Sequence, residues 1–154
     1  MKVYIDGSSL NNQSKNRCGG IGVFFNDDDE RNISMKFNDD NQTNNRAELT
    51  ACIMALEQIP NNENVIIITD SIYVIGCAIT WIDKWRNNNY CKSNGKIILN
   101  LDLVKKLEIL VNNHNVEFQH INSHKKQPPI NSSSYSDWYG NMMADNFAVL
   151  GANS

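Results

Sequence analysis

Apolar positions along the chain fall into continuous, alternating and helically spaced runs, and their order predicts the architecture. The densest run is Val65-Ile66-Ile67-Ile68, closed by Thr69-Asp70-Ser71. Four β-branched apolar residues in a row leave no polar alternation, the mark of a strand covered on both faces at the centre of a sheet. Val3-Tyr4-Ile5 followed by Asp6-Gly7 has the same form and reads as a second central strand. Ile21, Val23 and Phe25 alternate with other residues, as do Ile33, Met35 and Phe37, with a polar turn between the two sets. Three strands joined in this way predict an antiparallel meander.

Helical spacing begins after a polar stretch. Leu49, Cys52, Ile53, Leu56 and Ile59 share one face and place a helix over residues 47–59, ended by Pro60. Ser71 is a good N-cap, and Ile72, Ile75, Ile79 and Ile82 carry a second helix from there to about Asp83. Asn100 is placed to cap a third, with Leu103, Val104, Leu107, Leu110 and Val111 as its apolar face. Residues 116–121 read as a last strand, 125–139 as irregular chain around Pro128-Pro129, and 140–150 as a closing helix. The sum is a single α/β domain over residues 1–154. Its five-stranded mixed sheet, a meander plus two parallel strands, is flanked by helices on both faces.

Composition narrows the function more by distribution than by totals. Hydrophobic content of 41% and charged content of 20% are ordinary for a globular chain. The net charge of −3 argues against polyanion binding by the whole surface. Residues 84–106, however, hold Lys84, Arg86, Lys92, Lys96, Lys105 and Lys106 against Asp102 alone, a local +5, with Trp85 and Tyr90 interleaved. A basic stretch carrying aromatics is suited to nucleic acid. The four cysteines, at 18, 52, 77 and 91, show no paired metal spacing. With no leader and no membrane-length apolar run, they are expected as reduced thiols in an intracellular, reducing compartment, in a protein that is not secreted.

Four acids stand out. Asp6 and Asp70 follow the two central-strand runs, Glu48 opens a helix, and Asp145 lies in the last helix. Neighbouring parallel strands would hold Asp6 and Asp70 about one strand spacing apart, ~5 Å. Carboxylates that close repel, and a cation relieves them. All-oxygen donors without Cys or His select Mg²⁺, with Mn²⁺ as substitute. Four carboxylates can hold two such ions for in-line displacement at phosphorus. Any one of these acids alone reads as a solvated strand or helix end; the four together do not.

These motifs resemble the type 1 ribonuclease H family almost end to end. Tyr4-Ile5-Asp6-Gly7-Ser8-Ser9 is similar to its first strand, and Gln42-Thr43-Asn44-Asn45-Arg46-Ala47-Glu48-Leu49 to its strongest motif. Ile68-Thr69-Asp70-Ser71 with Trp81 and Trp85, then His120-Ile121-Asn122-Ser123-His124, then Gly140-Asn141 through Asp145, follow in order. The resemblance implies a ribonuclease H-like fold and an endoribonuclease that cuts the RNA strand of RNA/DNA hybrids with two metal ions, leaving 5′-phosphate and 3′-hydroxyl ends. It makes Asp6, Glu48, Asp70 and Asp145 the metal ligands and His124 a mobile catalytic histidine beside them. His120 reads as structural and His114 as solvated. The resemblance places Asn12, Asn44 and Asn45 on the RNA strand and Tyr73 and Trp85 on deoxyriboses. It places Thr43 and Asn100 at a DNA phosphate. A 2′-hydroxyl is what such contacts discriminate.

The partner implied is the hybrid duplex alone, bound by a monomer, with no membrane. No separate hybrid-binding domain is expected before the catalytic one, and the basic stretch is expected to supply most DNA-strand affinity. Two features depart from the family pattern. Lys125-Lys126 replace a small residue and a glycine, and Gln127 to Trp138 has the character of an insertion. The competing readings are another nuclease of the same fold, of integrase or junction-resolvase type, and a catalytically silent hybrid-binding module.

Overall fold

The computed structural model describes residues 1–9, 18–123 and 125–154. Strands β1 (Lys2–Ser8), β2 (Gly20–Phe24) and β3 (Ile33–Lys36) form the expected antiparallel meander. Helix α1 (Asn44–Glu57) leads into β4 (Asn64–Thr69), which runs parallel to β1, and β5 (Asn115–His120) runs parallel to β4. The sheet order is β3-β2-β1-β4-β5.

Both central strands feed both faces, as their unbroken apolar runs require. Val3, Ile5, Val65 and Ile67 enter the larger core with Leu49, Cys52 and Leu56 of α1 and with Val104 and Leu107 of α4 (Leu101–Asn113). Tyr4 and Ile68 point the other way and pack with Phe24 and with Ala144 of α5 (Tyr135–Ala152). The period-two alternation thus divides each strand between two helical layers.

Two helices and one histidine depart here from the sequence reading. The helix expected over residues 71–83 is broken into α2 (Ile72–Ile75), a π-helical turn (Gly76–Thr80) and α3 (Ile82–Asn87). Its buried side is Val74, Cys77, Ala78 and Ile82, while Ile72 and Ile79 are exposed, so of the isoleucines that marked the expected face only Ile82 is buried. The Trp81 ring lies where a Cβ on Gly76 would be, which fits the local rewinding. Helix α5 also starts five residues before Gly140, taking residues 135–139 from the supposed irregular stretch.

His114 is the third correction. It is buried, not solvated, and its ring nitrogens lie 2.6 Å from the Leu110 carbonyl and 2.8 Å from that of Ile59. Both partners only accept, so both contacts are hydrogen bonds only when each ring nitrogen carries a proton. The bond to Ile59 ties the end of α4 to the chain that follows α1. His120, by contrast, ends β5 in an exposed position.

Candidate metal and nucleic-acid site

Register places the first pair of acids. Lys2, Val3 and Tyr4 pair with Ile66, Ile67 and Ile68. The constant offset of 64 carries Asp6 level with Asp70, just past the end of β4. Thr69 and Ser71 then shape the turn. The Thr69 hydroxyl accepts from the Ser71 amide at 3.0 Å, and the Ser71 hydroxyl accepts from the Val74 amide at 3.1 Å, capping α2.

Glycine admits the other two acids. A Cβ on Gly7 would collide with the backbone of Ala47 and Glu48, so its absence lets the start of α1 press against β1. Gly22, the partner of Asp6 across β1 and β2, faces the Ala144 carbonyl of α5 in the same way. Asp145 is thereby brought close enough to Asp6 for its carboxylate to raise the Asp6 carboxyl.

The result is a carboxylate cluster. One oxygen each from Asp6, Glu48 and Asp70 lies within 4.8 Å of the others. Asp6 and Glu48 are buried, Asp70 and Asp145 half-buried. Burial, and then the charge of its acidic neighbours, pushes each of the Asp6 and Glu48 carboxyls well above the ordinary range. The Gly7 amide is a favourable contact for the Glu48 carboxylate. Its Oε2, however, is the one buried side-chain polar atom without a hydrogen-bond partner among the described residues. Close-set hard oxygens, one of them orphaned, fit a divalent cation of the Mg²⁺ or Mn²⁺ kind.

The motif before Glu48 is largely engaged in building the site. Gln42 donates to the Phe37 and Asp39 carbonyls and accepts from the Gly19 amide at 2.9 Å. Thr43 caps α1 by accepting from the Arg46 amide, so the helix begins three residues earlier than Ala47. The Asn44 side-chain carbonyl accepts from the Ser9 amide and hydroxyl, both at 2.9 Å, and the residue is exposed. Asn45 is exposed.

Arg46 was not singled out by sequence reasoning, although it stands in the middle of the motif. Its guanidinium forms ion pairs with Asp39 at 2.9 Å and Asp102 at 2.8 Å and reaches the Asn100 side chain at 3.3 Å. Asn100 stands at the N-cap of α4 with φ of 60°, yet its side chain makes no cap bond and donates instead to the Tyr73 hydroxyl at 2.9 Å. Thr43 and Asn100 are therefore joined through Arg46, with Tyr73 beside them. Tyr73, Trp81 and Trp85 form a chain of tilted rings with centroids 5.9 and 5.6 Å apart.

The basic stretch is less free than its composition implied. Arg86 is bound by Asp83 and Glu108, which lie just outside the counted segment, and Lys105 sits over the Tyr90 ring. Lys84, Lys92 and Lys96 remain exposed and take part in no ion pair among the described residues. Asn12 and His124 lie outside the described residues. The four cysteines are free thiols, and no described helix is long and apolar enough to cross a membrane.

A mixed sheet in this order, with carboxylates gathered where its parallel strands end, defines a class of α/β domain that could hold a metal ion beside an anionic substrate. Comparison with known proteins makes the class specific. Residues 1–153 match the RNase H family, and the chain belongs to it. A ribonuclease H of Schizosaccharomyces pombe is 40% identical over 98% of this chain, and this chain spans about half of that protein, 52%. A ribonuclease H of Rickettsia canadensis is 33% identical over 97% of this chain and 86% of its own length. The solved PFV RNase H domain superposes with a TM-score of 0.73 at 24% identity, covering 99% of this chain and 93% of that one, a likeness of fold.

Proposed function

We propose that this chain is an endoribonuclease that hydrolyses the RNA strand of RNA/DNA hybrids, leaving 5′-phosphate and 3′-hydroxyl ends. Asp6, Glu48, Asp70 and Asp145 hold two divalent cations, Mg²⁺ with Mn²⁺ as substitute. When bound, such ions make water a nucleophile near neutral pH and offset charge at the phosphoryl and leaving oxygens. The observation that carries the reading is the orphaned Glu48 oxygen inside a cluster of buried carboxylates, in a chain of this family.

The residues around the cluster take the two strands apart by chemistry. Asn12, Asn44 and Asn45 offer amides to the RNA strand, where a 2′-hydroxyl both donates and accepts. Thr43 and Asn100 bind a DNA phosphate at a place rigidified by Arg46. Tyr73 and Trp85 pack on deoxyriboses, which lack the hydroxyl that would clash. The exposed lysines of the basic stretch add sequence-independent affinity. His124 moves the proton and helps the product leave, a role that imidazole chemistry suits. The whole of residues 1–154 acts as one catalytic domain, as a monomer in a reducing intracellular compartment.

A labelled hybrid tests this directly. Cleavage of its RNA strand is expected with Mg²⁺ and none with chelator. Cleavage that survives chelation would sink the metal assignment. Equal cutting of duplex DNA or of a four-way junction would favour a nuclease of integrase or resolvase type. Tight hybrid binding without cleavage in any divalent metal would leave a silent binding module.

A further inference from the structure

The segment between β5 and α5 carries the chain's departures from the family pattern, and it reaches the acids. A cavity of about 150 Å³ is lined by Asp70 and Asp145 together with Ser123, Lys125 and Trp138. Trp138, in the first turn of α5, donates its indole N–H to the Lys125 carbonyl at 3.0 Å. That bond ties the two ends of the extra segment to each other. The Trp138 ring also rests on that of Tyr135, with centroids 5.6 Å apart, so the anchor is itself packed. The backbone of Lys125 is thus held beside the carboxylate cluster, and Lys125, an exposed residue, is among those that line the cavity.

Size and charge select the occupant. At about 150 Å³ the cavity has room for a phosphate group. Carboxylates alone would repel such an anion. Cations on the acids and the Lys125 ammonium together reverse that, and the Ser123 hydroxyl adds a neutral donor. An RNA strand delivers the anion, because it carries a phosphate at every nucleotide on either side of the one being cut.

We infer that this cavity is a phosphate subsite for the RNA strand, adjoining the scissile position. Lys125 and Ser123 are its ligands and Trp138 is the positioning residue that fixes Lys125. The inference rests on the hybrid-cleavage reading above and adds a contact that the extra segment supplies. Lys126, the exposed neighbour, does not line the cavity and serves as the internal control.

The test compares Lys125→Ala, Lys125→Arg, Trp138→Phe and Lys126→Ala in steady-state cleavage of a labelled hybrid. Hybrid binding is measured in parallel by fluorescence anisotropy on a cleavage-silent Glu48→Gln background. Lys125→Ala is expected to raise KM and Kd about three- to tenfold, with kcat within about twofold, and to lower the salt slope of log Kd by about 1. Lys125→Arg restores both constants. Trp138→Phe moves KM in the same direction by less, and Lys126→Ala matches wild type. If Lys125→Ala matches Lys126→Ala in KM, Kd and salt slope while wild type cleaves the hybrid, the subsite is wrong and the enzyme reading stands. A loss of kcat with KM unmoved also overturns it, because the lysine then acts on something other than phosphate binding. Wild type inert on the hybrid removes the reading and the subsite together.

Discussion

Arg46 and Glu48 stand two residues apart on α1 and meet opposite fates. Arg46 is 11% exposed and saturated, with Asp39 and Asp102 on its guanidinium and Asn100 at its edge. Glu48 is 9% exposed and faces other acids, with one oxygen left bare. Folding has completed the first site and left the second short of positive charge. A buried group that is fully paired holds structure together, whereas one that is repelled and unpaired marks where something from outside belongs. The comparison separates the scaffold residue from the ligand-binding one within a single helical turn.

The contrast can be broken at either end. The largest effect is expected at the metal end of the cluster. Asp70→Asn should lower hybrid cleavage by more than ~10²-fold, since a metal ion that would offset transition-state charge loses one of its carboxylates, with an unchanged circular dichroism spectrum. Retained activity would remove Asp70 from the metal site. At the scaffold end, Arg46→Ala leaves Asp39 and Asp102 facing each other without their shared cation. A loss of about 2–3 kcal/mol in urea unfolding is expected, less than for a fully buried pair because Asp102 is exposed. Stability within error of wild type would make Arg46 a surface residue in energetic terms.

Glu48→Gln should do the reverse of Arg46→Ala in the absence of metal. Burial and neighbouring charge raise the Glu48 carboxyl in the folded chain, so the folded state holds a proton the unfolded state has given up. That contribution is whole below the ordinary carboxyl value of 4.5 and is lost as pH rises through the raised one. An amide does not ionise and escapes the loss. The metal-free variant is therefore expected to exceed wild type by about 1–3 kcal/mol at neutral pH, with the gap closing toward pH 4. Added Mg²⁺ should stabilise wild type more than the variant, which keeps three of the four carboxylates. A gap that stays constant from pH 4 to 8, by thermal unfolding, would mean that the Glu48 charge is not what costs stability.

Much of this site was legible because strands and short motifs write themselves locally. The runs ending near Asp6 and Asp70 read as central strands, and a parallel register that pairs Lys2 with Ile66 brings their acids level. What stayed hidden depended on partners far along the chain. Arg46 carried no local signal, since its acids lie at positions 39 and 102. The local charge of the basic stretch misled for the same reason, because Asp83 and Glu108 lay just beyond its ends. Isoleucine spacing named the face after Ser71 only in part, because the chain there winds as α2, a π-helical turn and α3 and not as one regular helix. His114 passed as solvated because its flanking asparagines say nothing of the Ile59 carbonyl waiting for it.

The amino-acid sequence alone determined the strand and helix order, the five-stranded mixed sheet and the four acids, because hydrophobic periodicity and residue chemistry are properties of neighbouring positions. The tertiary structure alone decided that Gly7 and Gly22 admit α1 and α5 closely enough to gather Glu48 and Asp145 around Asp6. It also decided that the Trp138 indole, in the first turn of α5, bonds the Lys125 carbonyl beside those acids. Such approaches are set by how whole layers pack, and no window of sequence contains both sides of them.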